Sequence, residues 1–119
     1  TTLYMEKMVA PSTRVRLYAQ VRAMDPTGAI GAAQDVGAGK FVIGRGLDAD
    51  LVLPDDQASR HHVAIKQVGA DYVVEDLGST NGCFVNGVRV VRCPLQPGDQ
   101  IQLGGSKLYF TLGYRFDVG

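Results

Sequence analysis

The sequence has little cysteine, little histidine and no excess of charge of either sign. Its 119 residues include two cysteines and two histidines, and twelve basic side chains balance twelve acidic ones. A neutral chain has no overall field that attracts nucleic acid or an anionic membrane, so we expect no nucleic-acid partner. No apolar run reaches membrane-spanning length and no signal segment begins the chain, so we expect no membrane insertion. Because the chain begins at Thr1, we expect a processed product or a piece of something longer.

The two cysteines are placed unfavourably for a disulfide. If Asn86-Gly87 closes a two-residue hairpin, Cys83 faces Val90. Cys93 then lies three residues beyond that position, which is too far for a cross-hairpin disulfide. Two free thiols suit a reducing compartment, so we predict a cytoplasmic protein.

Patterns for a metal or a nucleotide are also missing. His61 and His62 are adjacent, and neighbours in a strand point to opposite faces, so the pair does not readily bind one metal ion. The stretch nearest to a GxxxxGK[ST] loop is VGAGKF (36–41), where Gln34 replaces the first glycine and Phe41 replaces the hydroxyl residue. We therefore expect no metal and no cofactor.

Short strands separated by glycine-rich turns dominate the chain. In residues 14–24, apolar side chains alternate with polar ones, which is the period of a half-buried strand. Further predicted strands are KFVIG (40–44), DLVLP (50–54), HHVAIKQV (61–68), DYVVED (71–76), CFVNGVRVV (83–91), DQIQL (99–103) and SKLYFTL (106–112). Residues 28–39 are small and flexible, and are interpreted as a loop or a weak edge strand. No segment has a helical apolar stripe, so we predict an all-β sandwich or barrel.

The length predicts one domain. Residues 1–13 lack clear periodicity and are interpreted as an N-terminal extension. The domain is predicted to span residues 14–113, and residues 114–119 are interpreted as a C-terminal tail.

Three predicted loops carry groups that suit an oxyanion. They are GRGLDAD (44–50), PDDQASRHH (54–62) and DLGSTNG (76–82). A phosphorylated side chain carries about −1.5 to −2 charges and three strong acceptor oxygens. A forked guanidinium with short hydroxyl and amide donors matches that group, and the candidate donors are Arg45, Ser59, Arg60, Thr80 and Asn81. Loops gather at the ends of a sandwich, so we expect loops that are distant in sequence to converge.

These motifs resemble the forkhead-associated (FHA) domain family in order and spacing. GR at 44–45, SRHH at 59–62 and DLGSTNGCFVNG at 76–87 match its G-R, S-x-x-H and S-x-N-G elements, the last leading to V-N-G. The resemblance covers roughly residues 14–113. It implies an FHA/SMAD-like sandwich of two sheets and about eleven strands, with ligand loops at one end. It also implies a non-catalytic module that recognises phosphothreonine on a partner protein marked by an upstream Ser/Thr kinase.

The resemblance assigns binding roles by position. Arg45 would pair with the phosphate, and Ser59 and Thr80 would donate hydroxyl hydrogen bonds to it. Arg60 matches a position that contacts phosphate through its backbone or side chain. Asn81 would hydrogen-bond the backbone of the bound peptide.

A second set of residues is assigned to support the site. They are Gly44, His62, Gly82, Asn86 and Gly87. Gly44 would let the chain turn so that Arg45 projects, and His62 would brace the loop that carries Ser59. Cys83 departs from the family, which commonly has threonine there.

Two other functions remain open. The same fold could act as a protein-interaction scaffold that is independent of phosphate. A hydrolase could use Ser59 and His62, although the sequence shows no orienting acid and no GxSxG elbow.

Charged residues near the predicted loops also have ordinary explanations. Asp55 and Asp56 are interpreted as solubility-promoting loop residues. Arg89 and Arg92 are interpreted as solvent-facing charges of a hairpin that could also meet acidic side chains of a bound peptide.

Overall fold

Eleven β-strands form the framework of the computed structural model, which describes residues 13–118 and, within them, the side chains of residues 16–116. The strands are β1 (Thr13–Met24), β2 (Gln34–Val36), β3 (Phe41–Gly44), β4 (Leu51–Val52), β5 (Val63–Val68), β6 (Asp71–Asp76), β7 (Cys83–Val85), β8 (Val88–Val90), β9 (Arg92–Leu95), β10 (Gln100–Leu103) and β11 (Ser106–Val118). The predicted N-terminal extension lies outside the described residues, apart from Thr13. Residues 13–118 contain no helix with the length and apolar character that a bilayer crossing requires.

The strands form two sheets. One has six strands in the order β2-β1-β11-β10-β7-β8, and the other has five in the order β4-β3-β5-β6-β9. The all-β prediction, the sandwich of two sheets and the count of eleven strands are therefore confirmed. The segment interpreted as a loop or a weak edge strand contains β2, which lies at a sheet edge.

The core lies between the sheets because successive strand residues point to opposite faces. Val21 of β1 pairs directly with Phe110 of β11, and both side chains are fully buried. From the opposing sheet Tyr72 packs against Phe110, with ring centroids 5.7 Å apart. Ile43 and Ile65 are fully buried in the same cluster.

The hairpin of β7 and β8 has the predicted register. Cys83 pairs with Val90 and Val85 pairs with Val88, around a turn in which Asn86 has a φ of 50° and Gly87 a φ of 84°. Both cysteines are free. Burial raises the pKa of the Cys83 thiol to about 12.

Two elements differ from the strands predicted by pattern. β9 was not predicted, because Pro94 interrupts its apolar pattern. Proline lacks the N–H that a central strand needs, and β9 accommodates it as the outermost strand of its sheet. β11 runs to Val118, past the predicted domain end at residue 113, because its residues continue to pair with β1 as far as Thr13.

The paired ends of β1 and β11 extend past their neighbours. β1 pairs with β2 only over residues 19–21, and β11 pairs with β10 only over residues 106–109. Residues 13–18 and 113–118 therefore form a two-stranded arm, called here the β1–β11 arm.

Candidate phosphate-binding site

The loops that carry the candidate donors emerge at the same end of the sandwich. Ile43 pairs with Val63, and Val63 pairs with Asp76, so the end of β3, the start of β5 and the end of β6 are level with one another. We name the connections loop A (residues 45–50), loop B (residues 53–62) and loop C (residues 77–82).

The backbone of loop A is hydrogen-bonded to loop B. The Arg45 N–H donates to the Ser59 carbonyl at 2.9 Å, and the Gly46 N–H donates to the Arg60 carbonyl at 3.0 Å. Gly44 permits this approach, because a Cβ at that position would lie 2.7 Å from the Ser59 carbonyl oxygen. The glycine is therefore required by the closeness of the two loops.

The side chain of Arg45 is anchored at one point. Its Nε–H donates to the Ala58 carbonyl at 3.0 Å. Within the described part of the chain its terminal amino groups have no hydrogen-bond acceptor, and no carboxylate of residues 16–116 lies within 4.0 Å. A guanidinium has five donors in a fixed fork, so the outer fork of Arg45 is free to bind an anion.

Ser59 and Thr80 meet although they are 21 residues apart. The Thr80 N–H donates to Ser59 Oγ at 3.1 Å. Because Ser59 Oγ accepts this bond, its own hydroxyl hydrogen is available for a further acceptor. The Thr80 side chain is exposed at the same place.

His62 joins loops B and C from below. It is fully buried; its Nδ1 accepts from the Ser59 N–H at 3.0 Å, and its Nε2 lies 2.7 Å from the Gly82 carbonyl oxygen. An acceptor Nδ1 and a carbonyl opposite Nε2 define the neutral tautomer with the proton on Nε2. His62 thus satisfies a backbone donor of loop B and a backbone acceptor of loop C.

Asn81 makes a second bridge between these loops. Its Nδ2 donates to the Gln57 carbonyl at 2.7 Å. One part of the amide is therefore used within the protein, while its carbonyl oxygen has no donor partner among residues 13–118. The expected contact between Asn81 and a peptide backbone stays a prediction.

Loop C is shaped by hydrogen bonds that the Asp76 carboxylate accepts. Its carboxylate accepts from the Ser79 N–H at 2.8 Å and from Ser79 Oγ at 3.1 Å, and Ser79 Oγ in turn accepts from the Gly82 N–H at 3.0 Å. Gly82 has a φ of +86°, which favours glycine. These contacts turn the chain sharply from β6 into β7.

Arg60 and His61 lie on the outer side of loop B. Arg60 and Arg45 line an open cleft together with Gly46, Leu47 and Asp48 of loop A. His61 Nε2 lies 2.8 Å from Asp48 Oδ1. This hydrogen bond, helped by the charge of Arg60, lowers the pKa of Asp48 below its ordinary value.

Asp55 has a structural role that the sequence interpretation missed. The residue is only 3% exposed, and its carboxylate accepts from the Gly105 N–H at 2.9 Å, Ser106 Oγ at 2.7 Å and the Gln57 N–H at 2.9 Å. The interpretation of Asp55 as a solubility residue was therefore wrong, because it ties loop B to the turn between β10 and β11. Asp56 is exposed.

The turn after the site is also fixed by its asparagine. Asn86 Nδ2 donates to Asp99 Oδ1 at 2.9 Å, and Asn86 Oδ1 accepts from the Gln100 N–H at 3.0 Å. The β7–β8 hairpin is thereby held to β10. Across residues 13–118 there is no group of three or more histidine, cysteine or acidic side chains that could hold a metal ion.

Comparison with known proteins decides the family. The model of the FHA domain family matches residues 41–104, which is more than half of the chain. The chain belongs to the FHA domain family. The predicted family is thus confirmed.

Individual relatives agree with this assignment. The FHA domain-containing protein FhaA of Mycobacterium tuberculosis is 44% identical over 70 residues, which is 59% of this chain and 13% of FhaA. The chain thus spans only a small part of that relative. A solved FHA domain from work on phosphothreonine-dependent FHA interactions is 35% identical, with a TM-score of 0.71, covering 79% of this chain and 95% of that one. The FhaA FHA domain complexed with the intracellular domain of Rv3910 is 36% identical, with a TM-score of 0.67, covering 77% and 98%.

Proposed function

We propose that this chain is a non-catalytic module that binds phosphothreonine on a partner protein after an upstream Ser/Thr kinase has modified it. The ligand would sit on loops A, B and C. Arg45, Ser59, Arg60 and Thr80 would contact the phosphate, and Asn81 would contact the peptide backbone. The two free thiols support a cytoplasmic location.

The observation that carries this proposal is the hydrogen-bonded junction of the three loops. The Arg45 guanidinium is held against Ala58, the residue before Ser59, and the Ser59 hydroxyl oxygen is held by the Thr80 amide. A guanidinium and two hydroxyl-bearing residues therefore adjoin one another. Arranged donors of this kind bind an anion at a smaller entropic cost than donors that must first be ordered.

The charges at the junction favour a dianion over a neutral ligand. Among the described side chains, those of residues 16–116, no carboxylate lies within 4.0 Å of Arg45 or Arg60. A phosphate monoester offers three acceptor oxygens and close to two negative charges to these side chains. The solved relative associated with phosphothreonine-dependent interactions supports phosphothreonine as the bearer of that phosphate.

The contacts of His62 argue against a hydrolase. Both ring nitrogens are engaged by backbone groups, and the ring meets the Ser59 N–H instead of the Ser59 hydroxyl. A serine nucleophile needs a base within hydrogen-bond reach of its hydroxyl. His62 is therefore better explained as support for the loops.

The test is the binding of a phosphothreonine peptide library to the wild type and to Arg45→Ala. We expect Arg45→Ala to lose about 2–5 kcal/mol of binding free energy if the bound ligand buries the charge pair, because the phosphate is then left unpaired. Arg22→Ala is the matched control, because it removes an exposed arginine of β1 that belongs to none of the three loops.

Equal binding by the wild type and Arg45→Ala would refute this site. Each peptide is also measured without its phosphate. An unphosphorylated partner that binds as tightly as its phosphorylated form would instead favour the phosphate-independent scaffold.

A further inference from the structure

Arg89 lies on the outer face of the six-stranded sheet and next to loop C. It belongs to β8 and pairs with Phe84 of β7. Gly82 is the last residue of loop C and directly precedes β7, and the Arg89 side chain lies against it across the hairpin. The long Arg89 side chain can therefore reach loop C along the sheet surface.

The guanidinium of Arg89 covers the backbone of Gly82. A Cβ at Gly82 would lie 2.8 Å from Arg89 Nε, 3.0 Å from Cζ and 3.1 Å from Nη2. Gly82 is buried although its neighbour Asn81 is exposed. Because Gly82 has no side chain, the Arg89 guanidinium can lie directly against its backbone.

The positive charge of Arg89 is not neutralised within the described part of the protein. Among the side chains of residues 16–116 no carboxylate lies within 4.0 Å of Arg89, and its guanidinium has no hydrogen-bond partner in the described part of the chain. The residue is also exposed. Its donors are therefore free to meet an anionic group that approaches from solvent.

The distance from the phosphate donors to Arg89 is short. Thr80 and Gly82 are two residues apart, so their Cα atoms lie within about 7 Å. An extended ligand covers that distance in about two to three residues. A peptide whose phosphothreonine lies at Thr80 can therefore present a nearby side chain to Arg89.

We infer that Arg89 is a specificity-determining residue, which selects ligands that carry a carboxylate side chain about two or three residues from the phosphothreonine. This inference rests on the proposed function, since it names the class of peptide that the same site prefers. If Arg89 served only to cover the Gly82 backbone, the size of its side chain would matter and its charge would not. A variant that keeps the size but removes the charge therefore distinguishes the two roles.

The experiment uses phosphothreonine peptides that differ only by glutamate or glutamine at one position. The varied positions lie two and three residues to either side of the phosphothreonine. Affinities are measured by titration calorimetry for the wild type, Arg89→Gln and Arg92→Gln. Arg92 is the matched control because it is also an exposed arginine, but it begins β9 in the other sheet.

We expect the wild type to prefer glutamate at one of these positions by roughly twofold to fivefold, which is the range of an exposed ion pair. Arg89→Gln should lose this preference and keep its affinity for the glutamine peptide, whereas Arg92→Gln should keep the preference. Arg89→Glu should prefer a peptide with lysine at that position. Matching amide spectra would show that the variants keep the fold.

Two results would overturn the inference while leaving the proposed function intact. One is equal binding of glutamate and glutamine peptides by the wild type, and the other is a glutamate preference that survives in Arg89→Gln. A folded wild type that binds none of the phosphopeptides would overturn the proposed function as well, so the two failures are distinguishable.

Discussion

Loops B and C share one fully buried side-chain bridge beside their exposed hydrogen bonds, whereas loop A is joined to loop B by backbone hydrogen bonds and by exposed or part-buried side chains. His62, which bridges B and C, is fully buried, and Asp55, which fixes loop B, is 3% exposed. On the side of loop A, the Asp48 and His61 side chains are 74% and 49% exposed, and Leu47 is 93% exposed.

The difference separates a fixed part of the site from an adjustable part. The Ser59 N–H and the Gly82 carbonyl are held by the buried His62, so the backbones of loops B and C are arranged before a ligand arrives. Arg45 is anchored through Nε but stands beside an exposed loop, so its outer fork can adapt. We expect substitutions under loops B and C to affect stability and binding together, and substitutions in loop A to affect mainly binding.

The largest effect on stability is expected for His62→Ala. The variant leaves the Ser59 N–H and the Gly82 carbonyl without partners. Each unsatisfied buried group costs about 1–3 kcal/mol, so the free energy of unfolding should fall by about 2–6 kcal/mol. Urea unfolding monitored by circular dichroism measures this loss.

His61→Ala is the control, since it removes the adjacent histidine from the exposed side. It should change the free energy of unfolding by about 1 kcal/mol or less, which is the range of a surface ion pair. If the two variants unfolded at the same urea concentration, the distinction between a buried and an exposed bridge would fail.

A smaller loss is expected for Asp55→Asn. The new amide group would face donors from Gly105, Ser106 or Gln57, so at least one buried donor would lose its acceptor. The expected cost is about 1–3 kcal/mol in the free energy of unfolding, with weaker phosphopeptide binding because loop B loosens. Asp56→Asn changes the exposed neighbour and should stay within about 0.5 kcal/mol of the wild type. Similar thermal midpoints for the two variants would contradict the structural role of Asp55.

The smallest effect is expected at acidic pH, for the contribution of Asp48 in loop A to the thermal midpoint. The hydrogen bond from His61 lowers the pKa of Asp48 below 3.8, so the folded state favours the ionised carboxylate. This contribution to stability is present above the unfolded pKa and disappears as the pH falls through the lower, folded pKa. The difference in thermal midpoint between the wild type and Asp48→Asn should therefore shrink between about pH 5 and about pH 3. A difference that is constant over this range would show that Asp48 gains nothing from its ionised form in loop A.

Much of the fold could be predicted because local patterns and the three motifs agree. Alternation located most strands, and the Asn86-Gly87 turn set the register of β7 and β8 correctly. β9 was missed because Pro94 breaks the pattern, and a proline is compatible with a strand only when tertiary structure leaves that strand at an edge.

The supporting contacts of the site were harder to predict. Asp55 and Asp56 look alike in the sequence, yet only Asp55 is buried, because its partners Gly105 and Ser106 are about 50 residues away. The position of the Arg89 side chain likewise depends on a contact with Gly82 across the hairpin. The sequence signal for that contact is the glycine that directly precedes the predicted hairpin.

The most direct test of the account is a map of backbone amide and arginine Nε–H chemical shifts while a phosphothreonine peptide is titrated into isotope-labelled protein. The account predicts that the large changes fall in loops A, B and C, with the Arg45 Nε–H and the Thr80 amide among the strongest. It also predicts that the unphosphorylated peptide leaves these signals in place. Changes centred on the β1–β11 arm, with the three loops unaffected, would contradict it.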